Sequence, residues 1–364
     1  MTESPVLSVE DLTVAFDTPR GTLTAIEELS FEVRTGETVC LVGESGSGKT
    51  VAGETITRLI PTPPGRVLNG SVRFDGYDLT AASERELRSI RGNRIAHVFQ
   101  NPQGALDPAY TVGHQVAETI QLHEDDPRAE DRAIELLDAV GLPNPGRAAG
   151  QYPHELSGGV KQRVVIAAAL AADPDVLIAD EPTTALDVVT QAQILRLLAE
   201  LQAERDLGVL FVTHDLGVVA EVADRVVVVY AGRVMERGPV DAVLSDPAHP
   251  YTRALLASLP GRGEGMEPLD GSFPDPQDRP AGCLFHPRCP HAVEACRESV
   301  PDEMAIGPER TAACIYYGPD FETSELDDEP GFDSSGSEDE PGFQASALDD
   351  QSDFESSDPE EDSR

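Results

Sequence analysis

Lysine occurs twice in the chain, at Lys49 and Lys161, although 27 residues are basic. Lys49 closes the string Gly43-Glu44-Ser45-Gly46-Ser47-Gly48-Lys49-Thr50: two glycines with four residues between them, then Lys and Thr. Glycines let backbone N–H groups wrap around phosphate oxygens, and a helix N-terminus adds positive potential. The lysine reaches the β/γ oxygens, and the Thr50 hydroxyl is a ligand for Mg²⁺. The chemistry is nucleoside triphosphate binding. The competing assignment, an ordinary glycine-rich strand-to-helix turn, leaves the scarce lysine unexplained.

A second acidic element, Asp180-Glu181-Pro182, follows the apolar run Val176 to Ala179. Asp180 is the candidate Mg²⁺ residue, and Glu181 the candidate base that polarises the attacking water. Alone, two carboxylates after a strand are more often a solvated strand end; beside a phosphate loop they gain a role. Lys161 lies in Leu156-Ser157-Gly158-Gly159-Val160-Lys161-Gln162-Arg163. Ser157 is suited to cap the helix that follows, and Gly158 and Gly159 allow backbone donors to approach an anion.

These residues need a scaffold that brings strand ends together. Glu37 to Gly43, Arg94 to Gln100, Val176 to Asp180 and Val209 to Thr213 are short β-branched runs followed by polar or glycine-rich sequence, as buried parallel strands are. Val6 to Phe16 and Thr22 to Val33 alternate instead, predicting an antiparallel sheet. Asp131 to Val140 is apolar at helical spacing and stops at Gly141-Leu142-Pro143, within a helical insertion over 101–160. Arg225 to Tyr230 and Arg233 to Arg237 predict a hairpin, with the core ending near residue 245. Residues 246–319 read as a separate Pro-, Gly- and Cys-rich appendix with a helix at Tyr251 to Leu259. Residues 320–364 contain DEPGF twice and read as a disordered acidic tail.

With these elements in order, the chain resembles an ATP-binding-cassette (ABC) ATPase, whose signature is LSGG followed by Gln-Arg. The resemblance implies a P-loop NTPase fold: α/β, with a parallel core sheet, an antiparallel N-terminal β-subdomain and a helical subdomain. It implies that Gln100 is similar to the family's Q-loop and also faces the metal. Asp187 in Ala185-Leu186-Asp187 is similar to the D-loop, and His214 to the γ-phosphate switch. Phe16 is the candidate for stacking on adenine; a core aromatic of an edge sheet is the competing assignment. In this family ATP lies between the phosphate loop of one ATPase domain and Ser157, Gly158 and Gly159 of a second, so an identical or related ATPase partner is implied. Motion then passes through the surface near Gln100 to membrane-spanning subunits.

Cys40 sits in the strand before the phosphate loop. Cys283, Cys289, Cys296 and Cys314 are separated by 5, 6 and 17 residues. Four thiolates in a reducing compartment suit a soft metal or an iron-sulfur cluster, and the paired Cys-x-x-Cys knuckles usual for zinc are missing. Gly282 to Pro290 and Pro247 to Thr252 resemble the C-terminal extension of oligopeptide/dipeptide importer ATPases, where four cysteines go with a [4Fe-4S] centre. The resemblance covers residues 8–319 and implies two permease subunits and an extracellular substrate-binding protein. Asn101, Gln103, Gly104 and Asp107 depart from the importer pattern. Nickel and sugar importers share much of the sequence, so they stand as alternatives to peptide.

Composition excludes other classes. The balance of 27 basic against 66 acidic residues, a net of −39, repels the phosphates that a general nucleic-acid binder must neutralise. A DNA-maintenance cassette ATPase would show long coiled-coil insertions or a basic face, and neither is visible. A third possibility is a regulator whose cysteines sense redox state and gate ATP use. Residues 320–364 hold 18 acids and one arginine, so the rest still carries −22. An acidic, lysine-poor body suits a halophile's cytoplasm, a haloarchaeon's in particular, where salt shortens the Debye length to about 3 Å. The longest apolar run, Val164 to Ala172, is nine residues, half of what a spanning helix needs. No secretory signal is visible, and the expected location is the cytoplasmic face of the membrane, held there by partners.

Overall fold

The computed structural model describes residues 4–184, 186–259, 271–319, 321 and 323–326. Ala185 and the acidic tail beyond Leu326 lie outside them. In chain order the strands are β1 (Leu7–Thr18), β2 (Gly21–Val33), β3 (Thr38–Val42), β4 (Gly65–Phe74), β5 (Tyr77–Asp78) and β6 (Ile95–Val98). They continue as β7 (Val176–Asp180), β8 (Gly208–Thr213), β9 (Arg225–Tyr230), β10 (Arg233–Pro239), β11 (Met304–Gly307) and β12 (Arg310–Ala312).

One sheet runs β2-β1-β4-β5 and is antiparallel throughout. The other runs β11-β12-β10-β9-β3-β8-β7-β6, parallel from β9 to β6 and antiparallel at the β11 end. Every residue of β3, β7 and β8 is buried. Such strands are covered on both faces, which is why their sequence is continuously apolar rather than alternating. The two-residue period still decides which core each side chain joins. Val39 and Leu41 face the antiparallel sheet with Leu7 and Phe31, whereas Cys40 and Val42 join Val164, Ile194 and Leu198 on the opposite side. Each fully buried Leu or Val contributes ~1.5–3 kcal/mol.

Between β6 and β7 the chain folds into helices, among them Val112–His123, Ala129–Ala139 and Gly158–Ala169. The first is capped by the Thr111 side chain and the last by Ser157.

Residues 246–319 depart from the expectation of a separate appendix. β12 pairs with β10 through Glu236 opposite Ala312 and Arg237 opposite Thr311, extending the main sheet. Phe285, 1% exposed, packs its ring on Tyr230 of β9 and on Tyr251. Glu236 is completely buried, takes an ion pair from Arg310 at 2.9 Å, and accepts backbone hydrogen bonds from Ala248 and His249. The long-range pairing of a short strand leaves no local sequence signal, and that is why composition alone set this region apart. The expected helix is present as Pro250–Ala257.

Candidate nucleotide site

The turn after β3 is shaped by positions that accept only glycine. A Cβ on Gly43 would lie 2.0 Å from the Val229 carbonyl oxygen, and one on Gly48, at φ +97°, would lie 2.6 Å from that of Ala25. The turn then runs into the helix Lys49–Ile56. Lys49 is 5% exposed, and its ammonium donates to Gly43 O at 2.8 Å, Glu44 O at 2.9 Å and Ser47 Oγ at 3.2 Å. Burial pushes this amine down to about 8, against the opposing pull of Glu181, Asp180 and Glu44.

Across the parallel strands, Asp180 ends β7 and accepts from Thr50 Oγ1 at 3.3 Å. Burial raises its carboxyl to about 6, helped by Glu181 and Glu54 and resisted by the Thr50 hydrogen bond and Lys49. Glu181 adopts a left-handed backbone, φ +45°. For a residue with a Cβ that conformation is strained, of the kind that persists where surrounding contacts over-determine it. The Glu181 carboxylate accepts from Gln100 Nε2 at 2.7 Å and Thr184 Oγ1 at 2.8 Å, and pairs with His214 Nδ1 at 2.9 Å. Burial works to raise Glu181, and the bonds from His214, Thr184 and Gln100 more than offset it, leaving its pKa below the ordinary value. The structure therefore gathers Gln100, Asp180, Glu181 and His214 around the phosphate loop, from the ends of β6, β7 and β8.

The cavity beside Lys49 measures ≈ 310 Å³ and is lined by Ser45, Gly46, Gly48, Lys49, Thr50, Gln100 and Glu181. Ser157, Gly158 and Gly159 do not line it. Ser157 and Gly158 are exposed, and a Cβ on Gly159 would meet Thr190 Cγ2 at 2.4 Å. Asp187 caps the helix Val188–Arg205, accepting from Thr190 N at 3.0 Å and Thr190 Oγ1 at 2.7 Å. Phe16 also stays off the cavity wall; its ring rests near Gly65, where an added Cβ would be 3.0 Å away.

The family model described as ABC transporter matches residues 26–184, and that of the oligopeptide/dipeptide transporter C-terminal region matches residues 235–296. The oligopeptide transport ATP-binding protein OppD of Bacillus subtilis is 48% identical over 307 residues, covering 83% of this chain and 86% of its own.

The chain belongs to the ABC transporter family.

It is an ATP-binding subunit of the oligopeptide/dipeptide importer type, and an ATPase. The dipeptide transport ATP-binding protein DppD of Escherichia coli is 45% identical over 316 residues, 85% of this chain and 96% of that one. Among solved structures, a dimeric ATP-binding cassette in a post-hydrolysis state bound to ADP and Pi has a TM-score of 0.58 and 31% identity, covering 64% of this chain and 98% of the other. Among the described residues of this ABC ATPase no helix is long and apolar enough to cross a membrane.

The four C-terminal cysteines are free thiols; Cys283, Cys296 and Cys314 are buried and Cys289 is partly buried. Cys289 feels the other three electrostatically, so the four converge, and burial pushes Cys289 and Cys314 each up to about 12. Among the described residues no group of three or more His, Cys, Asp or Glu side chains could hold a metal ion. The placed side chains thus form no ready ligand set for the expected iron-sulfur centre, and burial favours the neutral thiol at Cys283, Cys289 and Cys314.

Sequence reasoning missed residues from this same extension. Arg288 donates to Glu44 Oε1 at 2.7 Å and to Tyr230 Oη at 3.2 Å, and Glu44 N donates to Tyr251 Oη at 3.0 Å. Arg288 lies within the Cys283–Cys289 neighbourhood that the family resemblance singled out, but its partner is 244 residues away.

Proposed function

We propose that this ATPase energises import of di- and oligopeptides, working as a pair of ATPase domains under two permease subunits fed by an extracellular binding protein. In this reading the protein lies at the cytoplasmic face of the membrane, held by the permeases. The observation that carries it is the incomplete site: the phosphate side is assembled within one chain, while Ser157 and Gly158 stand exposed and away from its cavity. A second ATPase domain supplies that edge.

Lys49 exchanges its bonds to Gly43 O and Glu44 O for β/γ-phosphate oxygens, and Gly46 and Gly48 let loop N–H groups converge on the same charge. Thr50 and Asp180 would hold Mg²⁺, which when bound would neutralise charge on the phosphates. Glu181 orients the attacking water as general base, and His214 and Gln100 set its carboxylate. His214 carries its proton on Nδ1 in this arrangement, since a carboxylate only accepts. Phe16 remains the proposed adenine contact, and Asp187 a contact at the paired interface.

The support for a [4Fe-4S] cluster on Cys283, Cys289, Cys296 and Cys314 is their grouping in one short stretch of sequence without the paired Cys-x-x-Cys knuckles of zinc sites. Iron and sulfide assay of anaerobically purified protein tests it. The acid excess supports a high-salt cytoplasm, checked by whether molar KCl raises the melting temperature.

Peptide as cargo is tested by reconstituting the chain in vesicles with permease subunits of the oligopeptide/dipeptide importer type and their binding protein. ATP-driven uptake of labelled di- and oligopeptides is expected. Uptake of nickel or sugar instead would overturn the cargo and leave the ATPase intact.

A further inference from the structure

Part of the nucleotide cavity is built by the C-terminal extension. Phe273, Pro274, Pro276 and Arg279 line the same cavity as Lys49 and Glu181. A Cβ placed on Gly46 would meet the Phe273 ring at 4.0 Å, ordinary van der Waals contact, so the ring lies against the phosphate loop itself. On its other side Phe273 packs on Tyr230, ring centres 5.1 Å apart. The aromatic ring that lines this cavity is therefore Phe273 and not Phe16.

The segment is fastened in place. Arg279 donates to Thr24 O at 2.8 Å, Ala231 O at 2.6 Å and Glu27 Oε2 at 2.8 Å. Two prolines restrict the backbone between these anchors, so little ordering remains to be done when a ligand arrives. A second link runs through Glu44 of the phosphate loop. Arg288, 4% exposed, holds its carboxylate, and Tyr251 accepts from its backbone N–H.

We propose that the extension is part of the nucleotide site: Phe273 and its flanking prolines form an apolar wall for the nucleoside portion of ATP, and Arg288 is a positioning residue that acts on the phosphate loop through Glu44. An aromatic ring and two prolines beside Leu23 and Ala25 offer nothing to a phosphate but suit a base and ribose. The proposal rests on Gly43 to Thr50 being the ATP cradle.

The experiment compares ATP with inorganic tripolyphosphate, which lacks the nucleoside, by calorimetric titration of the full-length chain. Phe273→Ala is expected to weaken ATP about threefold to tenfold and leave tripolyphosphate unchanged. Arg288→Ala is expected to weaken both ligands, with Arg288→Lys recovering part of the loss. Equal ATP affinity in Phe273→Ala, tighter binding, or an equal loss for the two ligands overturns the wall. Wild-type hydrogen exchange gives a second readout independent of any variant's folding: ATP is expected to slow exchange across residues 271–289, and unchanged rates there overturn the proposal. Should the wild type bind neither ligand, the cradle itself has failed; should it bind ATP while the variants match it, only the extension's role has.

Discussion

The two edges of this ATPase that the proposed paired site brings to ATP are finished to different degrees. On the phosphate side Lys49 has three bonded partners and Glu181 has three, all within the chain. On the signature side Ser157 caps its own helix, and the neighbouring Val188 and Val189 are 82% and 68% exposed. A single large aliphatic at the surface is ordinary, but two in succession beside the exposed Ser157 and Gly158 fit a face that awaits contact. In the proposed pairing, binding belongs to one protomer and turnover to two.

That contrast can be broken from the phosphate side first. Glu181→Gln is expected to lower single-turnover hydrolysis by about 10²–10⁴ while ATP stays bound, as loss of a general base does. Gel filtration with ATP then shows the variant trapped as a pair. Unaltered hydrolysis would remove Glu181 from the mechanism. Lys49→Ala is expected to weaken ATP by about tenfold to a hundredfold, the worth of charge-assisted hydrogen bonds to phosphate.

A sharper version mixes chains. Ser157→Arg should bind ATP normally yet fail to hydrolyse it, and adding it to Lys49→Ala protein should restore part of the activity, because one intact composite site forms. No recovery on mixing would mean that the two edges do not serve the same ATP. The third measurement is a pH series of Mg-ATP affinity. Asp180 is charged above about 6 and Lys49 cationic below about 8, so affinity should be greatest between those values and fall on either side. A flat profile from pH 5 to 9 would separate both groups from ligand binding. Smallest is Val188→Asp, expected to weaken ATP-dependent pairing severalfold with no change in melting temperature, read by analytical ultracentrifugation.

The phosphate side was legible in sequence because its chemistry is local. A glycine-rich turn, a lysine and a buried strand lie within a dozen residues, and the order of the remaining motifs supplies the rest of the sheet. Strand bounds differ by a residue or two at most: inward at β3, expected from Glu37 to Gly43 and found at Thr38–Val42, and outward at the end of β1, expected at Phe16 and found at Thr18. What escaped notice depends on chain closure. Arg288 meets Glu44, and β12 meets β10, only after some two hundred or seventy intervening residues have folded. Neither leaves a periodicity to read. Phe16, the candidate adenine contact, stands off the cavity wall with its ring beside Gly65.

The junction of β12 with β10 bears on how the chain can be shortened. Cutting it back to the ATPase motifs, near residue 245, would strip the hydrogen-bonding edge of β10 and orphan the fully buried carboxylate of Glu236, whose guanidinium partner comes from Arg310. An uncovered strand edge invites pairing with other copies, and a lone interior charge costs several kcal/mol. A trimmed cassette is thus expected to precipitate where the intact gene product does not, making the C-terminal region a built-in chaperone of the sheet it completes.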